Sequence, residues 1–296
     1  MKKFLGFVLV IILIVGAVFC LRKPVSPKRA ASQVAVVTSG YVPYILVREI
    51  SGGRITPEML LAPGSEPHSF EPSPGSLIAV HNAQAFFYVS PTLEPWVKDV
   101  LGAAGENTRV VALADAVIPT DDPHVWMDFD NVVKMAQLVQ ETLSQLDPKN
   151  ASLYAENFTR FSQEISALDG EFKQVLLSCE NREIIHIGHL AFGALAKRYN
   201  LALTALAGSS HDGEHSAKRL TELVKHIRAA NVKALFTEDA VSPRLAQTVA
   251  VETGAQLLPL YTIEDISKDD FKRGATYQEL MHRNLASLQE GLKCQK

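Results

Sequence analysis

The strongest constraint on the fold is a long apolar seam in the middle of the chain, at residues 149–178. Its large side chains recur at intervals of three and four residues, as on one face of an α-helix: Tyr154, Phe158, Phe161, Ile165, Leu168, Phe172 and Val175. A single helix over this segment is about 45 Å long at 1.5 Å per residue, which exceeds the width of a small lobe. We therefore expect a helix that packs against two lobes and connects them.

Short apolar runs alternate with helical patterns on both sides of this seam. "VAVVTSG", "AFFYVS" and "RVVAL" precede it, and "EIIHIG", "KALFTE" and "QLLPLY" follow it. Between them, "NVVKMAQLVQETLSQL" and "SAKRLTELVKHIRAA" have the spacing of amphipathic helices. The alternation predicts an α/β fold of two lobes, each with a mainly parallel sheet flanked by helices. We assign 34–148 to the N-terminal lobe, 149–178 to the linking helix and 179–296 to the C-terminal lobe.

Residues 1–33 have a different character from the rest of the chain. Phe4 to Leu21 contains no charged residue and follows two lysines, which is typical of an export signal or a membrane anchor. Cys20 suggests a lipidation site, although the residues before it lack the usual leucine and small residue. A cleaved signal, a lipidated Cys20 and an uncleaved anchor followed by a tether all stay open. We expect the remaining chain to be exported, to the periplasm or to the outer face of the cytoplasmic membrane.

Composition narrows the partners and the cysteine chemistry. With 47% hydrophobic residues, 21% charged residues and a net charge of −3, the chain has no basic excess to hold nucleic acid. We expect a monomer without a nucleic-acid partner. In an oxidising compartment Cys179 and Cys294 either form one disulfide or remain two separate thiols.

Three histidines fall where parallel strands end. His68 lies in the proline-rich loop "APGSEPHSFEPSP" after "EMLLA", His124 follows "RVVALADAV", and His189 follows "EIIHIG". The carboxyl ends of parallel strands form the rim where α/β proteins bind ligands. One loop histidine is usually a surface residue, but three at this rim indicate a metal site between the lobes. Neutral imidazoles suit zinc, and a carboxylate is expected as fourth ligand. Asp265, in the loop after the last strand, is placed to supply it, with its neighbour Glu264 as competitor.

The other histidines receive less specific interpretations. His211 and His215, in "SSHDGEHS", form either an accessory metal-capture segment or a solvated polar loop. His186 is interpreted as structural, with support of the site as an alternative. Three more are expected to be structural: His81, His226 and His282.

Several segments together resemble the cluster of metal-specific solute-binding proteins that serve ABC transporters for zinc and manganese. They are "PGSEPHSFEPSP", "LEPW", "DPHVWMD", "HLAFGALAKRYNL", "FTEDAVSPRLAQTVAVETGAQLLPLY" and "TYQELMHRNLASL". The resemblance runs from about residue 34 to the end of the chain. It implies two α/β lobes joined by a long helix, with the metal between them. It also implies His68, His124, His189 and Asp265 as the ligands.

This resemblance implies that the protein captures a divalent metal outside the cytoplasm and delivers it to an ABC permease. Three nitrogen ligands and one carboxylate favour Zn²⁺, with Mn²⁺ as the alternative. A surface adhesin on the same fold is another alternative. A secreted zinc hydrolase is less favoured, because the sequence contains neither a His-Glu-x-x-His helix nor a Gly-x-Ser-x-Gly elbow. We expect no enzymatic activity.

The chain departs from the family pattern beside the expected ligands. Phe129 replaces the proline usual in this position, and Leu190 and Ala194 replace a polar and an aromatic residue of the segment around His189. These changes remove no metal donor. They alter the surroundings that orient the imidazoles.

Overall fold

The eight strands form two parallel sheets with the same order of strands. The computed structural model describes residues 34–208, 217–238 and 243–295. Its strands are β1 (Val36–Thr38), β2 (Glu58–Met59), β3 (Ala85–Tyr88), β4 (Arg109–Ala112), β5 (Glu183–Ile187), β6 (Ala202–Ala205), β7 (Ala234–Thr237) and β8 (Gln256–Pro259). The sheets run β2-β1-β3-β4 and β6-β5-β7-β8, and all neighbouring strands are parallel. The second lobe thus repeats the topology of the first.

Helices follow most of the strands and cover the sheets. They are α1 (Tyr41–Ser51), α2 (Pro74–Asn82), α3 (Val97–Leu101), α4 (Phe129–Leu146), α5 (Ala151–Leu177), α6 (Gly193–Arg198), α7 (Ala217–Ala229), α8 (Pro243–Thr253), α9 (Lys268–Arg273) and α10 (Tyr277–Gly291). A short 3₁₀ turn at Val125–Met127 precedes α4. The predicted α/β class, with two sheets and a long helix, is confirmed.

The inner strands of both sheets have apolar residues that are buried on both faces. All four residues of β3 and all three of β1 are buried, as expected for parallel strands covered by helices on each side. Strand β6, "ALTA", was not predicted. It lies at the edge of its sheet, pairs only with β5 and is partly exposed, so it lacks the large apolar residues that mark the inner strands.

Helix α5 is the long helix predicted from the apolar seam. It contains 27 residues, continues through Gly170, and is about 40 Å long. It packs against α1 and α4 of the first lobe and against α10 of the second. Most of the predicted seam is buried, although Phe158 and Val175 are only partly covered and Leu176 is buried beside them. One helix therefore shares its apolar face between both lobes.

The two lobes are also joined directly by hydrogen bonds. The indole Nε1 of Trp126 donates to the carbonyl of Thr262 at 2.8 Å, and the hydroxyl of Tyr277 donates to the carbonyl of Trp126 at 2.7 Å. The hydroxyl of Tyr41 donates to the carbonyl of Ala275. These hydrogen bonds join segments that are more than a hundred residues apart, so they hold the two lobes together.

Two of the sequence-based expectations fall outside the described residues. They are the signal or anchor at 1–33 and the segment with His211 and His215. Within the described part of the chain, no helix is both long enough and apolar enough to cross a membrane.

Cys179 and Cys294 form a disulfide. The bond joins the chain just after α5 to the chain just after α10, and it closes a loop with a sequence separation of 115 residues. Of the two alternatives left open by the sequence, the structure contains the bridge. A loop of this length restricts the unfolded chain strongly, which favours the folded state.

Removing the bridge should destabilise the protein without changing its fold. We expect Cys179→Ala with Cys294→Ala to lower the free energy of unfolding by about 3 to 5 kcal/mol, because the unfolded chain regains the entropy of the open loop. Urea denaturation followed by circular dichroism measures this change. Wild-type protein treated with reductant serves as the control and should lose a similar amount. An unchanged urea midpoint would contradict the prediction.

Candidate metal centre

The three predicted histidines meet in the cleft between the lobes, together with Glu264. One potential ligand atom from each of His68, His124, His189 and Glu264 lies within 4.8 Å of all the others. The rings of His124 and His189 are fully buried, and Glu264 is 4% exposed. Two of these residues follow strands of the first sheet and two follow strands of the second. Residues that follow strand ends in both lobes thus meet in one place, as we expected from their positions at the carboxyl ends of the strands.

His124 and His189 face each other with their Nε2 atoms only 3.0 Å apart. Each ring donates its Nδ1 hydrogen to a carboxylate: His124 to Asp122 at 3.0 Å and His189 to Glu238 at 3.0 Å. A carboxylate only accepts, so a neutral ring in this position carries its hydrogen on Nδ1 and a lone pair on Nε2. Two lone pairs at this separation repel each other unless a proton or a metal cation lies between them.

Two glycines make room for the carboxylates that hold these rings. A Cβ atom on Gly188 would lie 2.2 Å from Oε1 of Glu238, and a Cβ on Gly193 would lie 2.6 Å from Oδ2 of Asp122. Both separations are far below van der Waals contact, so any larger residue would displace the carboxylate. Asp122 and Glu238 also accept the backbone N–H of the histidine that each one orients.

His68 is held by contacts within the first lobe. The indole Nε1 of Trp96 donates to the carbonyl of Pro67 at 2.7 Å, and the backbone N–H of His68 donates to Oε1 of Glu66 at 2.9 Å. The Nε2 atom of His68 lies 3.9 Å from Oε2 of Glu264, and its side chain is 7% exposed. The tryptophan of "LEPW" therefore fixes the proline-rich loop next to His68.

The structure places Glu264 beside the histidines, whereas the sequence analysis expected Asp265, with Glu264 as its competitor. Oε1 of Glu264 lies 2.8 Å from Nε2 of His189. Asp265 instead accepts a hydrogen bond from the Thr262 hydroxyl at 2.7 Å. Ile263 has a φ of 70°, in the left-handed region that β-branched residues rarely adopt. The turn at Ile263 directs the carboxylate of Glu264 into the cluster and the carboxylate of Asp265 away from it.

The charges of the cluster stabilise one another. Burial lowers the pKa of His189, but its contacts with Glu238 and Glu264 outweigh burial and raise the pKa to about 10. Burial raises the pKa of Glu264, but the charges of the histidines and the His189 contact outweigh it and lower the pKa to about 2. Burial and the charge of Glu264 raise the pKa of Asp265 to about 8. Of these two neighbouring carboxyl groups, Glu264 is thus the one that stays ionised at neutral pH.

This donor set fits a small divalent cation. Two imidazoles on one tetrahedral zinc, each at about 2.05 Å, have their nitrogens about 3.3 Å apart. The Nε2 atoms of His124 and His189 are 3.0 Å apart in this structure, so only a small movement of the rings would reach that separation. Their Nδ1 partners are the carboxylates that typically support metal-bound imidazoles. The arrangement therefore resembles a site that is already formed.

Several residues near the cluster were not predicted, or were predicted with less certainty. Glu238 follows β7 directly, at the same rim as the histidines, and Asp122 lies two residues before His124. For Glu238 and Asp122, the position near the carboxyl end of a strand was the sequence feature that could have indicated a role beside the cluster. His186 donates through Nδ1 to the carbonyl of His189 at 2.9 Å, so it supports the site as the alternative interpretation proposed. His81, His226 and His282 contact groups away from the cluster.

Comparison with known proteins finds several relatives that are named for zinc binding or zinc uptake. The family model of ZnuA, zinc-uptake complex component A, periplasmic, matches residues 36–291. The zinc-binding lipoprotein AdcA of Streptococcus pneumoniae is 26% identical over 284 residues, which cover 89% of this chain and 56% of AdcA. The high-affinity zinc uptake system protein ZnuA of Bacillus subtilis is 29% identical over 278 residues, which cover 87% of each chain. The chain thus spans little more than half the length of AdcA.

Solved structures have the same fold over most of the chain. The Zn(II)-bound ZnuA-like domain of Streptococcus pneumoniae AdcA superposes with a TM-score of 0.78 at 26% identity, covering 88% of this chain and 99% of that one. The laminin binding protein Lmb of Streptococcus agalactiae, described as bifunctional with adhesin and metal transporting activity, gives 0.80 at 30% identity with the same coverage. Since the family model matches most of the sequence, the chain belongs to the family of zinc-uptake complex component A proteins.

Proposed function

We propose that this protein captures a divalent transition metal outside the cytoplasm and delivers it to an ABC permease for import. The ligands would be His68, His124, His189 and Glu264. The observation that carries this proposal is the opposition of two buried imidazole Nε2 atoms at 3.0 Å, each ring anchored by a carboxylate. A divalent cation between the rings would satisfy both nitrogens at once, where a proton on one ring satisfies them in the metal-free protein.

We propose zinc as the metal, with manganese as the alternative. Three nitrogens and one carboxylate match the ligand preference and the tetrahedral geometry of zinc, whereas manganese prefers more oxygen ligands. The relatives from Streptococcus pneumoniae and Bacillus subtilis are named for zinc. Both observations support the same metal.

A carrier explains the buried site better than a hydrolase does. A catalytic zinc keeps one position open for water and has a base beside it. Here four side chains surround the position between them, and none of the four is more than slightly exposed. Glu238, another carboxylate beside the cluster, accepts a hydrogen bond from His189. We therefore propose binding and release of the metal without catalysis.

The remaining features of the proposal concern location and organisation. We propose a monomer, exported to the periplasm or to the outer face of the cytoplasmic membrane, with residues 1–33 as signal or anchor. We propose 34–148 and 179–296 as the two binding lobes, joined by the helix at 149–178. Adhesion remains a second candidate function, supported by the description of the Streptococcus agalactiae relative.

The protein should bind one zinc ion per chain through His124. We expect His124→Ala to weaken zinc binding more than about 100-fold, because even partners outside the ligand set contribute 10- to 100-fold. Competition titration against a chromophoric zinc chelator measures the affinity. Saturating zinc should also raise the melting temperature of the wild-type protein, because the ion binds only the folded form. Unchanged affinity in the variant would contradict the ligand set.

Glu264 and Asp265 can be separated by a matched pair of substitutions. We expect Glu264→Gln to weaken zinc binding about 100-fold or more, since it removes the anionic ligand from a buried site. Asp265→Asn should retain zinc affinity within about tenfold, because the side chain of Asp265 accepts a hydrogen bond from Thr262 and does not enter the cluster. The same titration applies to both variants. The opposite order of effects would restore Asp265 as the ligand.

Without metal, the contact of His189 with Glu264 should stabilise the protein in a defined pH window. The lowered pKa of Glu264, about 2 against an ordinary 4.5, gives stability above about pH 4.5 that is lost as the pH falls towards 2. The raised pKa of His189, about 10 against 6.5, gives stability below pH 6.5 that is lost as the pH rises towards 10. Both contributions are complete between about pH 4.5 and 6.5.

Urea unfolding in the presence of a chelator tests this window. The difference in unfolding free energy between wild type and Glu264→Gln should be larger at about pH 5.5 than at about pH 8.5 or 3.5. An equal difference at all three pH values would show that the ion pair does not stabilise the metal-free protein.

A further inference from the structure

Arg198, at the end of α6, uses every hydrogen of its guanidinium group on carboxylates. Nε and Nη2 donate to the two oxygens of Asp169 at 2.8 and 2.7 Å. Nη1 and Nη2 donate to the two oxygens of Asp130 at 3.0 and 3.2 Å, and Nη1 also donates to Asp128 at 3.0 Å. A guanidinium has five N–H donors, so all of them are used. We call these four residues the Arg198 clamp.

The clamp connects three parts of the molecule. Arg198 belongs to the C-terminal lobe, Asp169 to the linking helix α5, and Asp128 and Asp130 to the first turn of α4 in the N-terminal lobe. Asp128 also caps α4, because its other oxygen accepts the backbone N–H groups of Asp130 and Asn131. The start of α4 is therefore fixed to both the linking helix and the opposite lobe.

An aromatic cluster lies next to the clamp and joins the same elements. Phe129 packs edge-on against Phe172 of α5, with ring centroids 5.1 Å apart, and also contacts Tyr199 and Tyr277. Phe172 stacks on Tyr199 at 5.6 Å, and the Tyr199 hydroxyl donates to Asp169. Phe129, which departs from the family pattern, thus takes part in the contact between the lobes.

Isolated surface ion pairs contribute little, but this network differs from them. The side chain of Arg198 is only 19% exposed, and its pairs with Asp169 and Asp130 are both bidentate. The hydrogen bonds from Arg198 keep the pKa of Asp169 below its ordinary value, so the pair stays charged in mildly acidic solution. A bidentate network of this kind restrains direction as well as distance.

The clamp lies close in sequence to both opposed histidines. Asp128 follows His124 by four residues and Arg198 follows His189 by nine, and α6 packs on the Val125–Met127 turn between His124 and α4. Movement of α6 relative to α4 would therefore change the separation of the two rings. Ligand geometry in a metal site must hold to within about 0.5 Å.

We propose that Arg198 is a positioning residue that sets the separation of His124 and His189, and so governs how fast a bound divalent cation leaves. The inference deepens the proposed function and rests on it. Arg198 touches no ligand, and it acts by holding together the two elements that carry them. The cation remains bound as long as the clamp holds both imidazoles at one distance.

The experiment compares Arg198→Gln with Arg228→Gln in the full chain. Arg228 is a matched control because it pairs with Glu252 within the C-terminal lobe and does not bridge the lobes. Zinc dissociation is measured by stopped-flow mixing of the loaded protein with excess chelator. We expect Arg198→Gln to release zinc about 10- to 100-fold faster than wild type, and Arg228→Gln to release it at the wild-type rate.

Cobalt(II) gives a readout that a general loss of stability would not change. Its visible absorption bands depend on ligand geometry, so Arg198→Gln should shift their position or intensity while Arg228→Gln should not. Asp130→Asn provides a second variant, because Asp130 is largely exposed and its substitution leaves the rest of the clamp in place. It should release zinc faster than wild type but more slowly than Arg198→Gln, and it tests the clamp if Arg198→Gln does not fold.

The possible results separate the two proposals. If wild-type protein binds zinc and both clamp variants match Arg228→Gln in rate and in cobalt spectrum, the clamp is wrong and the metal site stands. If the wild-type protein binds neither zinc nor cobalt, the proposed function fails and the clamp fails with it. Faster release together with an altered cobalt spectrum in the clamp variants alone would establish the clamp.

Discussion

The structure depends on two imidazole lone pairs that are held against each other across the cleft. His124 and His189 come from different lobes, and each is fixed by a hydrogen bond from Nδ1 to a carboxylate. This arrangement is unfavourable without a positive charge between the rings. A proton on His189, balanced by Glu264, supplies that charge in one state of the protein, and a metal ion would supply it in the other. The cluster thus favours a positive charge between the two rings.

The fold serves this constraint by bringing equivalent edges of two similar sheets together. Each lobe has its strands in the same order, so each exposes the carboxyl ends of its strands to the cleft. The tryptophans of the chain fix the loops at this edge: Trp96 holds the loop of His68, and Trp126 joins the turn after His124 to the loop before Glu264. Gly188 and Gly193 then allow the supporting carboxylates to approach closely. Hydrogen bonds to the backbone and two small residues thus help to define the geometry of the cluster.

Much of this arrangement could be predicted from the sequence, because it depends on periodicity. The apolar seam predicted α5, the alternation of patterns predicted the two sheets, and strand ends predicted the positions of His68, His124 and His189. The choice between Glu264 and Asp265 could not be made this way. Both follow the same strand, and the left-handed conformation of Ile263 decides which of them enters the cluster. Likewise, the partners of Arg198 lie 29 to 70 residues away, so no local pattern reveals them.

The cysteine bridge has a consequence for the connectivity of the molecule. Because the disulfide joins Cys179 to Cys294, the backbone of almost the whole C-terminal lobe forms a covalently closed ring. The rest of the chain enters this ring at Cys179, just after the linking helix. One cut in the backbone anywhere within that ring would leave both fragments attached to the same molecule. The half of the site that carries His189 and Glu264 would then remain tethered to the half that carries His68 and His124. A single break of the backbone within this ring would therefore leave the two lobes covalently connected.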